Sequence, residues 1–255
     1  MPEILNLRQF AIIYVLLLVI LAVMKKCHIN QSKFVIVATF RMTVQLALAG
    51  LILTHIFEHP HPLLTLAYLT VIVVFSINMT LSKHKALNKK FKFVIGISLA
   101  TTGMAILAFY IIAVLGDNFF NPQLAIPLSG MIMGNAVSGI ALGMKTFKEN
   151  LQAKRNQIDT LINMGVTPQK TLLPLVSQSI ETAILPTIIT MTSMGIVKLP
   201  GMMTGQMIAG GMPMTAILYQ ISVTIAITAV TCLSVFCSLY IGCKTLYNEQ
   251  NQLEI

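Results

Sequence analysis

Leu63-Leu-Thr-Leu-Ala-Tyr-Leu-Thr-Val-Ile-Val-Val-Phe-Ser-Ile-Asn-Met-Thr-Leu81 holds no charged residue in 19 positions, and residues 82–92, which follow, carry five lysines. As an α-helix at about 1.5 Å per residue, the uncharged run is about 28 Å long. That matches the hydrocarbon thickness of a bilayer, roughly 30 Å. The apolar residues come as one block rather than at helical or strand spacing, so the run reads as a membrane-spanning helix with a basic link behind it.

The same pattern recurs along the chain. Apolar blocks fall at about 4–24, 34–57, 63–81, 93–115, 124–145, 171–197 and 214–243. The composition agrees: 56 % hydrophobic and 10 % charged, where soluble domains average about 25 % charged. The expected fold class is an all-α polytopic membrane protein of about seven transmembrane helices, with residues 1–255 forming a single transmembrane permease domain. Phe10–Met24 is not read as a signal peptide. Arg8 is the one basic residue before it, Lys25 and Lys26 follow, and no small-residue cleavage site is present; a retained first helix is expected.

The formal charge of +9 is distributed by topology. Lys25, Lys26 and Lys33 lie in the first link, Lys83, Lys85, Lys89, Lys90 and Lys92 in the third, and Lys145, Lys148, Lys154, Arg155 and Lys170 in the fifth. Links two, four and six together hold Lys198 alone. The positive-inside rule then places the N-terminus outside and the C-terminus in the cytoplasm. No aromatic-interleaved basic patch is present, so nucleic-acid binding is not expected. Cys27, Cys232, Cys237 and Cys243 do not form a disulfide framework and read as small hydrophobes.

The fifth link is the most structured. Leu151, Ile158, Leu161 and Ile162 fall near one helical face among Lys154, Arg155 and Asp159. Gly165 suits a C-terminal cap, and Thr167-Pro168 an N-cap with the first residue of the next span. A short amphipathic helix near 150–165 is therefore expected. Its neighbours Gly165 and Lys170-Thr171 do not form a phosphate loop, because Gln169 stands where the glycine must be and no strand precedes it. This chain binds no nucleotide on that reading.

Inside the blocks, Gly130, Gly134, Gly139 and Gly143 repeat at spacings that let helices approach closely; packing outweighs a binding role. Asn135 needs a hydrogen-bond partner inside a bilayer. Arg41 and Glu181 are the ionisable residues within spans. A charge near the centre costs roughly 2.5–3.5 kcal/mol, so Glu181 is expected to face the protein interior and to pair with Arg41, with Gln45 one turn further on the same face. The pair either holds the fold or gates a polar pathway. His55, Glu58, His59 and His61 have the chemistry of a weak metal site, although an interfacial loop is the simpler account. Met191, Met194, Met202, Met203, Met207, Met212 and Met214 cluster near one region and read as packing residues. No hydrolytic motif occurs, so no enzyme activity is expected.

Leu199-Pro-Gly-Met-Met-Thr-Gly-Gln-Met-Ile-Ala-Gly210 lies between two long apolar runs. Pro200, Gly201, Gly205 and Gly210 argue against one unbroken helix there, and irregular backbone near membrane depth needs protein or a watery cavity around it. This string, with Arg41-Met-Thr-Val-Gln45-Leu46 and Pro127-Leu-Ser-Gly-Met-Ile-Met-Gly-Asn135-Ala136, resembles the FetB-type (YbbM-like) permease family, the membrane subunits of small ABC transporters linked to iron export. The matches run in order from about residue 35 to 225. The family more often has Met-Asn where this chain has Val137-Ser138, which weakens an assignment of substrate contacts on that helix.

The resemblance implies a multi-pass permease in a bacterial inner or plasma membrane, acting as a homodimer with a separate ATPase subunit that holds ATP-Mg. It implies no cofactor bound by this chain. It also makes Pro200, Gly201, Met202, Met203, Thr204, Gly205 and Gln206 a signature segment. Arg155, Ile158, Asp159, Leu161, Ile162 and Gly165 become the ATPase-docking residues of a coupling helix, and Arg41, Gln45, Asn135 and Glu181 candidates for the pathway or its gate. The implied cargo is iron or another metal species moved out of the cytoplasm; plant relatives linked to aluminium tolerance imply that cargo varies. A stand-alone secondary transporter or channel, or a membrane scaffold without transport, are the alternative readings.

Overall fold

The structure is a computed structural model and describes residues 12–83 and 88–245. Among these the chain is helical: α1 Tyr14–Lys26, α2 Ser32–Glu58, α3 Pro62–Lys83, α4 Lys89–Phe109, α5 Pro122–Ala153, α6 Arg155–Asn163, α7 Pro168–Ser193, α8 Gly201–Ile208 and α9 Pro213–Cys243. α4 continues into a π-turn, Tyr110–Val114, where the Leu115 amide donates to the Tyr110 carbonyl at 3.0 Å. Six helices, α2, α3, α4 with its π-turn, α5, α7 and α9, are long and apolar enough to cross a membrane. They correspond to the second to seventh sequence blocks. The first block, 4–24, begins outside the described residues, and its described part is helical from Tyr14. With this helical content the protein is a polytopic all-α membrane protein.

The chain divides into two units at His59 and Pro60. In the first unit, the Tyr14 hydroxyl and Thr43 Oγ1 hydrogen-bond at 2.8 Å, joining α1 to α2. Both helices are mostly exposed, and Ile56 is the one buried residue in them. Side chains such as Phe34, Val37, Phe40 and Leu51 stand outward on α2, as suits a helix solvated by lipid.

The second unit carries the core. Phe91, Ile95 and Leu99 of α4, Ile132, Met133, Ala136 and Ile140 of α5, Leu172 and Val176 of α7, and Val230, Val235 and Leu239 of α9 bury one another. Close approach is set by small residues. Gly139 of α5 lies against Thr231 of α9, and Gly143 lies against Val235 of α9 and Ala183 of α7. Without a hydrophobic driving force between helices in lipid, such close van der Waals contact is what holds them. Polar ties reinforce it: the Tyr110 hydroxyl bonds Ser222 Oγ at 2.8 Å, and Thr65 Oγ1 donates to the Phe120 carbonyl at 3.2 Å.

Helix boundaries follow local chemistry. Asn121 caps α5 by accepting the Gln123 amide, ahead of Pro122 at the first helical position. α5 then runs well past the apolar block that ends near 145, through Lys148 and Glu149 to Ala153, so it projects beyond the apolar layer before α6 begins. Asn150 near its end donates to Gln178 Oε1 of α7 at 3.2 Å. Pro168 starts α7 as expected, but Thr167 at the N-cap makes no side-chain capping bond.

Candidate functional site

The signature segment is not part of a continuous span. Gly195 (φ 84°) and Gly210 (φ 90°) take left-handed backbone on either side of α8, a conformation open to glycine at no steric cost. Pro200 stands at the N-cap of α8 and Gly201 begins it. Met202 packs against the core, while Gly205 is exposed. The Thr204 hydroxyl donates back to the Gly201 carbonyl at 3.0 Å, and the Gly211 amide to the Gln206 carbonyl at 2.9 Å. The segment thus forms a short helix bounded by two glycine turns. Between α8 and α9 lies a cleft of about 350 Å³, walled by Gln206, Gly211, Met212 and Tyr219 among others.

The helix in the fifth link is present and shorter than the 150–165 range: α6, Arg155–Asn163. Its end is a glycine-closed Schellman turn. The Gly165 amide donates to Ile162 O at 2.9 Å and the Val166 amide to Leu161 O at 3.0 Å, with Gly165 at φ 85°; together these satisfy carbonyls left over at the helix end. The apolar stripe does not point outward as a unit. Ile158 is buried, as is Leu151 before it, and Ile162 packs against the same core. Ile158 and Ile162 therefore fasten α6 to its own chain, where α6 packs on α7, and are not free to enter a partner's groove. The outward surface includes Arg155, Asp159, Leu161, Met164 and Gly165. Met164, 75 % exposed, was not singled out by the sequence; its position between the helix and its glycine cap is the signal that would have found it.

Glu181 departs from expectation. It is exposed, rather than turned to the interior. The reason is register: α7 turns Leu172, Leu175, Val176, Ser179 and Ala183 inward. Glu181, two residues from both Ser179 and Ala183, points about 200° away at 100° per residue. It is the 14th of 26 residues in the helix, near the middle of a span. Asn135 is exposed too, and its amide donates to the Met131 carbonyl of its own helix at 2.8 Å. The four glycines of α5 divide: Gly139 and Gly143 are packed, whereas Gly130 and Gly134 have open space where a side chain would stand. Arg41 and Gln45 are exposed on α2, in the first unit.

The histidine group does not assemble. His55 and His59 stack loosely, with ring centroids 5.3 Å apart, and His61 Nδ1 accepts the Leu63 amide at 3.3 Å near the start of α3. Among the described residues no three His, Cys, Asp or Glu side chains come together in a way that could hold a metal ion. The four cysteines are free thiols. One polar seam escaped the sequence reading. On α9, Gln220, Thr224 and Thr228 share a face, and the two threonines meet the sulfurs of Met194 and Met191.

Six membrane-length helices among the described residues define a multi-pass protein of the cell membrane, with a broken segment beside a cleft and an amphipathic helix between two spans. The chain belongs to the family described as Uncharacterised protein family (UPF0014), whose model matches residues 7–247. It is 29 % identical over 252 residues to the "Probable iron export permease protein FetB" of Escherichia coli (strain K12), covering 98 % of this chain and 96 % of that protein. It is 27 % identical over 247 residues to the "UPF0014 membrane protein YjkA" of Bacillus subtilis (strain 168), covering 94 % and 96 %. A plant relative, "Protein ALUMINUM SENSITIVE 3" of Arabidopsis thaliana, is 27 % identical over 246 residues, covering 96 % and 88 %. No solved structure matches the chain.

Proposed function

We propose that this chain is the transmembrane subunit of an ABC exporter that moves iron or another metal species out of the cytoplasm, driven by ATP-Mg on a separate ATPase chain. The observation that carries this reading is α6. A rigid, glycine-capped helix is anchored to the bundle by Ile158 and Ile162 and shows a charged and apolar outer surface at Arg155, Asp159, Leu161 and Met164. Such a helix can receive a push from a partner and pass it to α7, on which it packs. The full-length likeness to a protein named as a probable iron export permease supports the cargo class. The basic links favour a cytoplasmic α6 under the positive-inside rule, where an ATPase would meet it.

Within this reading Asn135 and Glu181, exposed on the second unit, belong to the pathway, since lipid solvates such groups poorly. Arg41 and Gln45, exposed on α2 of the first unit, are polar groups of the same kind. The open face of α5 at Gly130 and Gly134 suits close approach of a second copy, giving a homodimer with one docking helix for each ATPase. The glycine-hinged α8 segment is the part able to re-pack during alternating access. The test is the ATPase rate of the purified partner with and without this chain in liposomes, across iron, copper, manganese and buffer alone. Metal-dependent stimulation, lost when charge is reversed on α6, is the expected result. Absence of a stable complex and of stimulation, with a folded chain and an active partner, overturns it.

A further inference from the structure

We propose that Met191 and Met194, backed by the amide oxygen of Gln220, form a binding site for a soft monovalent metal ion, with Cu(I) as the natural ligand class and Ag(I) as its redox-inert probe. The site lies at the end of the bundle remote from α6 and does not depend on coupling to an ATPase.

Met191 lies in the last turn of α7 and Met194 is its C-cap. Both sulfurs turn to α9. Thr228 Oγ1 lies 3.3 Å from Met191 Sδ, and Thr224 Oγ1 lies 3.6 Å from Met194 Sδ. Residues four apart on a helix are neighbours on one face, so the two sulfurs meet α9 at hydroxyls one helical turn apart on the same face. Each hydroxyl also has a stronger acceptor in its own helix: Thr224 donates to the Gln220 carbonyl at 2.7 Å, and Thr228 to the Thr224 carbonyl at 2.8 Å. One hydroxyl has one proton. With that proton directed to a carbonyl, the thioether lone pairs are left for another ligand.

Gln220 supplies the independent observation. Its side chain is 9 % exposed and donates from Nε2 to Thr224 Oγ1 at 3.1 Å, while Oε1 is buried with no hydrogen-bond partner. Leaving a buried acceptor unsatisfied costs about 1–3 kcal/mol, a penalty a bound cation would remove. The cleft beside α8 is walled by Met212 and by Ala216, and Ala216 is one helical turn before Gln220 on the same face of α9. Two thioethers and a neutral amide oxygen offer neither the oxygen-rich, carboxylate-bearing shell of a hard divalent ion nor the imidazole that suits zinc or iron. Thioethers select soft ions, Cu(I) above all.

The experiment uses the full chain with Cys27→Ser, Cys232→Ala, Cys237→Ala and Cys243→Ala to remove competing thiols, labelled with ¹³C at the methionine methyls, in nanodiscs and chloride-free buffer. On titration with Ag(I), a saturable shift of two methyl signals is expected, assigned to Met191 and Met194 by their loss in Met191→Leu and Met194→Leu. Ag(I) affinity should fall at least tenfold in either leucine variant and several-fold in Gln220→Leu. X-ray absorption of the Ag(I)-loaded chain, which needs no methionine substitution, should show thioether sulfur around the metal. No saturable binding, shifts confined to other methionines, or a metal ringed by oxygen and nitrogen alone overturns the proposal.

Discussion

Gly139 of α5 lies directly against Thr231 of α9, where a β carbon would overlap the threonine methyl group. The neighbouring helices cannot retreat, since Gly143 one turn on is closed in by Val235 and Ala183. Gly139→Ala is therefore expected to destabilise the bundle by about 1–3 kcal/mol, the usual cost of overpacking. Gly134→Ala, with nothing within 4 Å of the new atom, should leave the stability of the isolated chain unchanged. Thermal unfolding of both variants in detergent checks this; equal midpoints would contradict the packing described here.

The contrast between those two glycines marks what a sequence can disclose. Their spacing said that α5 is a helix meant for close approach, and block length alone placed the six described spans. Which glycines meet a neighbour was hidden, because one face of α5 is set by where α7 and α9 happen to cross it. The same limit explains Glu181. A mid-span carboxylate looks as if it must turn inward, yet the buried stripe through Ser179 and Ala183 leaves it facing out. Pro200, Gly201 and Gly210 disclosed a break in the chain, since their chemistry is local. The pairing of Met191 and Met194 with Thr228 and Thr224 spans two helices and left no periodic trace.

Gly165 tests the end of α6. At φ 85° it holds the turn that lets its own amide and that of Val166 reach the Ile162 and Leu161 carbonyls. A β carbon in left-handed backbone costs roughly 1–2 kcal/mol, so Gly165→Ala should fray α6 locally while the spans persist. Hydrogen exchange is the direct measurement: protection should fall for amides 161–166 and remain unchanged along α5 and α9. Unaltered protection at Val166 would show that the cap does not hold the helix.

Glu181→Gln separates a role in transport from a role in folding. The side chain is exposed and stands outside the buried stripe of α7, so replacing a mid-span charge by a neutral amide should leave the packing intact and should not lower stability. Metal efflux from cells or liposomes is expected to fall at least tenfold if the carboxylate lines the pathway. Undiminished efflux with normal expression would remove Glu181 from the pathway.

The two sides of α6 make the last test, because they divide anchoring from docking. Ile158 is 2 % exposed, so Ile158→Ala should cost about 2–5 kcal/mol as a truncation in a packed site, and it should loosen α6 from α7. Leu161 and Met164 are 40 % and 75 % exposed; Leu161→Asp with Met164→Asp should leave the melting midpoint within a degree or two. If α6 is the ATPase contact, that double variant should lose co-purification with the partner and its stimulated ATP hydrolysis, since two new charges would be placed where apolar surface is to be covered. The Ile158 variant should instead keep binding, with weakened stimulation, because the helix would still dock but would transmit less of the partner's movement into α7. Full coupling in the aspartate variant would place the ATPase contact elsewhere on the basic links, and equal loss of binding in both variants would mean that α6 acts only by holding the bundle together.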